Sequence, residues 1–210
     1  LKKLLLWLLG GLVLLAGCSS QVFDQQTQLK EATATVITQV AKERAAIAVV
    51  DETASAFPST FQKAYASDPT HDFATTGAVA ALVTKRKAAF TQLEAAHKQL
   101  EAAITKLTKL SSQANDNLPR TALTNALDSL KLAKLDHKTF DAYYSELGSA
   151  QTLFFDQVSA APDRETVDAA LSRLNQYASS LSQQADIVTA NLETVAAQAK
   201  TLQKAINEMD

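Results

Sequence analysis

One cysteine, three histidines and one Glu-x-x-His spacing are the features of this 210-residue chain whose residue types could do chemistry. Cys18 ends the run Leu15-Ala16-Gly17-Cys18. Small residues before a cysteine, behind an apolar stretch and a basic start, have the layout of a lipobox, in which the thiol takes a diacylglycerol and the chain is cut between Gly17 and Cys18. His71, His97 and His137 are the candidates for a metal or acid–base centre. Glu94 stands three residues before His97, which gives half of the paired Glu-x-x-His arrangement that holds metals inside helical bundles. Its counterpart three residues before His137 is Lys134, so the second half is missing, and the spacing predicts ordinary, partly buried histidines with no metal. Gly-x-Ser-x-Gly, glycine-rich phosphate loops and His-Glu-x-x-His are all absent, so no catalytic residue and no small-molecule substrate are assigned.

The segment that positions Cys18 has a basic start (Lys2, Lys3) and an apolar run from Leu4 to Ala16. A helix of that length reaches about 20 Å against a hydrocarbon core of about 30 Å, which is too short for a permanent span. Residues 1–17 are therefore expected to be a lipoprotein signal peptide, 18–21 the lipidated cysteine with a short Ser-Ser-Gln tether, and 22–210 the body. The alternative is an uncleaved hydrophobic anchor with an incidental cysteine. Dual acylation holds a protein on a bilayer at about 0.8 kcal/mol per buried methylene. Diacylglycerol on Cys18 is the only non-protein group expected, and with that thiol committed no disulfide or cysteine-ligated zinc can form. Without Lys2 and Lys3, 18 basic residues face 22 acidic ones, a net −4 that argues against a nucleic-acid partner.

The elements that must carry the histidines are helices. After the leader the chain holds two glycines, Gly77 and Gly148, and four prolines, Pro58, Pro69, Pro119 and Pro162. Long stretches free of both, and rich in Ala, Leu, Gln, Lys and Glu, predict helices over about 22–56, 78–112, 119–158 and 162 onward. The first carries a stripe of Leu29, Ala32, Val36, Val40, Ile47, Val50, Ala54 and Phe57, with Glu43 its one charged member. The second uses Val79, Leu82, Phe90, Leu93, Leu100, Ile104 and Leu107, with Arg86 and His97 at intervening positions. His137 lies on the third stripe, between Leu130 and Phe140, so His97 and His137 are expected to face one another in the core. The fourth repeats apolar residues in steps of three and four for twelve positions, from Val167 to Ile206. Its flanking positions, among them Ser182, Gln184, Thr189 and Gln198, are nearly all uncharged, which favours a broad face inside a bundle over a free two-stranded zipper. The expected fold is all-α: an elongated, coiled-coil-like, antiparallel up-and-down four-helix bundle behind the signal peptide. Residues 57–77 form the irregular connection, with a short amphipathic turn at Phe57, Phe61 and Tyr65, and Gly148 marks a close contact or a bend.

Two surface features remain. Residues 85–138 hold ten basic against five acidic side chains, whereas the flanking segments are acidic. Lys85, Arg86, Lys87, Lys98, Lys106 and Lys109 would contact an anionic wall polymer or headgroups, or else lie against the acidic fourth helix. Phe57, Phe61, Tyr65 and Phe73 gather at the end remote from the anchor, where they form a recognition tip or close the core.

The order lipobox, long helices, Arg86-Lys87-Ala88-Ala89-Phe90-Thr91-Gln92-Leu93-Glu94, then Phe140-Asp141-Ala142-Tyr143-Tyr144 and Leu174-Asn175-Gln176-Tyr177, resembles the YkyA-like cell-wall-binding lipoproteins of Gram-positive bacteria. The likeness spans most of the chain after Cys18 and rests on spacing and a few aromatics, with Ala, Thr and Gln here where that family would carry more Lys and Glu. It implies a helical lipoprotein on the outer face of the cytoplasmic membrane, facing the wall, and brings no catalytic residues. The expected role is non-catalytic binding of wall polymer or spacing in the envelope. The alternatives are an accessory lipoprotein that binds a membrane-protein partner and, remotely, an envelope enzyme.

Overall fold

Without proline or glycine to interrupt them, the Ala- and Leu-rich stretches propagate as single long helices. The computed structural model describes the backbone of residues 2–113, 118–160 and 163–209, and side chains from residue 25 onward within those spans. The elements are α1 (Lys2–Ser55), α2 (Phe57–Ser67), α3 (Gly77–Ser112), α4 (Arg120–Ala160) and α5 (Arg164–Asn207), and no strand occurs among the described residues. Four long helices pack as a bundle, and α2 is a short fifth. The twelve apolar positions of α5 are all buried, as is the α1 stripe from Leu29 to Ala54, with Glu43 in its midst, and Phe57 at the start of α2. Each fully buried Leu or Phe contributes roughly 1.5–3 kcal/mol, so these stripes supply most of the drive to fold.

Side-chain contacts give the neighbours. Between α1 and α3, Glu31 meets Lys106, Glu43 meets His97 and Glu52 meets Lys85. Between α3 and α4, Glu101 meets Lys134, Glu94 meets His137 and Arg86 meets Gln151. Gln26 and Arg44 of α1 reach Ile206 and Glu193 of α5, and Asp136 of α4 accepts from Asn191 of α5. The backbones of α3 and α4 approach less closely than those of α1 with α3 or α4 with α5. That wider seam is filled by flat side chains, among them the stacked rings of Phe90 and Tyr144, 3.7 Å between centroids.

Two expectations are refined. The short amphipathic turn expected at Phe57, Phe61 and Tyr65 is present and extends to a helix over Phe57–Ser67, because Pro58 sits in the first turn, where a missing N–H costs nothing. Gly148 makes no close contact: a Cβ added there would meet nothing within 4 Å. Gly148→Ala should therefore raise stability by about 0.5–1 kcal/mol, seen as a melting temperature roughly 2 °C higher. A lower value would mean that the helix needs glycine there. Gly77, by contrast, has φ +78°, and a Cβ would come within 2.9 Å of His71 Nε2. Asp163 caps α5 by accepting from Thr166 N–H at 2.8 Å, with Glu165 in the first turn. The turn at Asp116 and Asn117, and Pro162, lie outside the described residues.

Candidate functional site

The polar residues that interrupt the apolar stripes converge on one place. Glu43 of α1, His97 of α3 and His137 of α4 are each buried. The two imidazoles stack face to face, centroids 3.4 Å apart and planes within 4°. His97 Nδ1 lies 3.0 Å from Glu43 Oε1, while its Nε2 looks toward Glu101 at 3.9 Å. On the other ring, His137 Nε2 lies 3.0 Å from Glu94 Oε1 and 3.5 Å from Asp141 Oδ2. Glu94 and Asp141 are part-exposed, so this half of the cluster opens through the α3–α4 seam, whereas Glu43 seals the inner half.

Position sets the electrostatics. Burial raises the Glu43 carboxyl above its usual range against the opposing pull of His97. Burial would lower His97, but the hydrogen bond and charge of Glu43, with Glu101 and Glu94, outweigh it and raise its pKa. Burial, and then the neighbouring His97, push His137 down to about 4, so its ring is neutral near pH 7. Burial and the adjacent Glu94 carboxylate push Asp141 up to about 7. One outer oxygen, Asp141 Oδ1, is buried without a hydrogen-bond partner. Two carboxylates, a neutral imidazole and an unsatisfied oxygen at a part-open seam can bind a cation or relay a proton.

The expectation that His97 and His137 face one another is met, and Glu94 joins the cluster through His137 rather than through His97. Asp141 was not anticipated. Its signal was its position one helical turn beyond His137, which places both on one face of α4.

No family model, curated protein or solved structure matches this chain.

The other predicted residues are dispersed. Arg86 is buried against Gln151 and Tyr144, with its pKa lowered by burial, and is withdrawn from any polyanion surface. Lys85 and Lys106 pair with Glu52 and Glu31 of α1, so the basic residues of α3 find acidic partners on α1 instead of on α5. Lys87, Lys98 and Lys109 are exposed and form no ion pair among the described residues. At the far end Phe57, Phe61 and Phe73 are buried and Tyr65 is half-buried. Phe61 packs 4.7 Å from Phe154 and 5.0 Å from Phe73, so the rings are spent on one another and close the core. That burial removes the exposed faces a recognition tip would need. His71 is held in the α2–α3 connection, its Nε2 hydrogen-bonded to Thr76 Oγ1 at 3.0 Å. Gly17 and Cys18 lie outside the residues whose side chains are described. Among the described residues no helix is long and apolar enough to cross a membrane.

Proposed function

We propose that the chain is a lipid-anchored extracytoplasmic lipoprotein whose body, an antiparallel up-and-down helical bundle, acts by binding or spacing at the cell wall rather than by catalysis. The observation that carries this reading is the run Leu15-Ala16-Gly17-Cys18 behind Lys2, Lys3 and an apolar segment. The antiparallel order is supported by the contact ladders, in which residue numbers climb on α1 as they fall on α3, from Glu31–Lys106 to Glu52–Lys85. The wall-facing role is supported by the resemblance to YkyA-like lipoproteins and by the exposed cations Lys87, Lys98 and Lys109, which form no ion pair among the described residues. In this arrangement the bundle stands on the outer face of the cytoplasmic membrane with α2 and its connection farthest from the anchor.

Cys18→Ala should abolish incorporation of labelled fatty acid and move the chain out of the lipidated membrane pool. Continued labelling of that variant overturns the anchor. In the same cells Lys87, Lys98 and Lys109 changed together to alanine should weaken salt-sensitive sedimentation with purified wall severalfold, because the attraction is long-range and screened. Unchanged sedimentation removes the polymer and leaves the second reading, an accessory lipoprotein that docks on a membrane protein. That reading is favoured by Leu132 and Leu135, 48% and 61% exposed and three residues apart on α4.

A further inference from the structure

The seam between α3 and α4 presents three converging ligand atoms from two helices. Glu94 Oε1 and Asp141 Oδ2 both address the same nitrogen, His137 Nε2, at 3.0 and 3.5 Å. One imidazole N–H cannot donate well to both carboxyl groups at once. Asp141 Oδ1 is left buried and unpartnered on the same side chain. We propose that Glu94, His137 and Asp141 form a binding site for a divalent transition-metal ion of the Zn2+ type. The two spacings bracket the edge of about 3.3–3.4 Å that ligands at Zn–N and Zn–O distances span in a tetrahedron. One nitrogen and two carboxylate oxygens on two helices give three protein ligands, and with Glu94 and Asp141 part-exposed the fourth position would fall to water. His137 and Asp141 lie one turn apart on α4, so a single helix face fixes two ligands and α3 supplies the third.

A second grouping, Glu43 with His97 and His137, also brings its donor atoms within 4.8 Å of one another. It fails on orbital direction. An imidazole lone pair lies in the ring plane, and the two rings are parallel and 3.4 Å apart, so an ion between them would sit far out of both planes. His97 and Glu43 instead back the outer site: the His97 ring fixes His137 by stacking, and Glu43 orients His97.

The test is calorimetric titration of ZnCl2 into the full chain after chelator treatment, in detergent, with circular dichroism to verify that each variant keeps its helicity. The expected result is about one ion per chain, with Glu94→Gln and Asp141→Asn each weakening binding about tenfold or more. His71→Gln, in the distant connection, should bind as the parent does. The proposal is overturned if the parent takes up no Zn2+ saturably, or if binding survives both substitutions unchanged. Because Glu94 and Asp141 are part-exposed, neither substitution threatens the fold. The result does not depend on whether Cys18 is lipidated.

Discussion

His97→Leu should lower the melting temperature by roughly 10 °C, and adding Glu43→Leu to the same chain should recover most of the loss. The single change keeps the volume but strands the Glu43 carboxyl, 2% exposed, in the centre of the α1 stripe without the imidazole 3.0 Å away. Removing one partner of a buried pair costs about 3–5 kcal/mol, whereas replacing both with apolar groups is often neutral or stabilising. At roughly 2–4 °C per kcal/mol for a chain of this size, the two variants separate clearly in a thermal melt. The pH dependence has a definite sign. Burial already raises Glu43 above 4.5, and losing His97 removes the contacts that oppose that rise. A carboxyl whose folded pKa exceeds its unfolded one loses stability as pH climbs from the unfolded value through the folded one. The part of the His97→Leu deficit that comes from Glu43 should therefore be smallest near pH 4.5 and grow as pH rises above it. A double variant no more stable than the single one would mean that the coupling between Glu43 and His97 is not what holds this layer.

How much of this layer could be read beforehand follows from what periodicity encodes. Glu43, Arg86, His97 and His137 each break an apolar stripe and all four are buried, but the stripes mark only the two histidines as partly buried and leave Arg86 among the candidate polyanion contacts. Their meeting point depends on which helices are neighbours and on register, which no single helix records. Asp141 lies off the stripe, so nothing in the heptad pattern singled it out until α4 was placed against α3. The same gap explains the charges. A basic central segment points to an anionic polymer or, alternatively, to the acidic fourth helix, but α1 lies beside α3, and Lys85 and Lys106 take their partners there. Length and period, by contrast, need no neighbour. The step of three and four from Val167 to Ile206 specified a buried face at every one of its twelve positions.

α2 is the element where local signals and packing differ most, and Phe61 carries the difference. Pro58 was read as a break, yet the eleven residues from Phe57 to Ser67 form a helix held by two buried rings, Phe57 and Phe61. Phe61 lies at the centre of that end: it stacks on Tyr65 at 5.5 Å and meets Phe73 and Phe154 edge-on at 5.0 and 4.7 Å. An isolated helix of eleven residues is marginal in water, so its order depends on those contacts rather than on propensity. Phe61→Ala removes the ring and leaves a cavity at a cost of about 3–5 kcal/mol. The expected result is a melting temperature lower by roughly 10 °C. Amide exchange should locate the loss: residues 57–67 become fast-exchanging, while the centre of α5 around Leu181–Leu192 stays protected, because the long helices bury their own stripes independently of this end. Phe61→Leu should recover much of the stability, since it restores apolar volume without the edge-on ring contacts. Equal loss of protection in α2 and α5 would show that the far end folds as one unit with the bundle. An unchanged melting temperature would show that Phe61 is not what holds α2 in place. Since the ring is 1% exposed, any binding defect of Phe61→Ala should follow the unfolding of α2, and Phe61→Leu should repair both together.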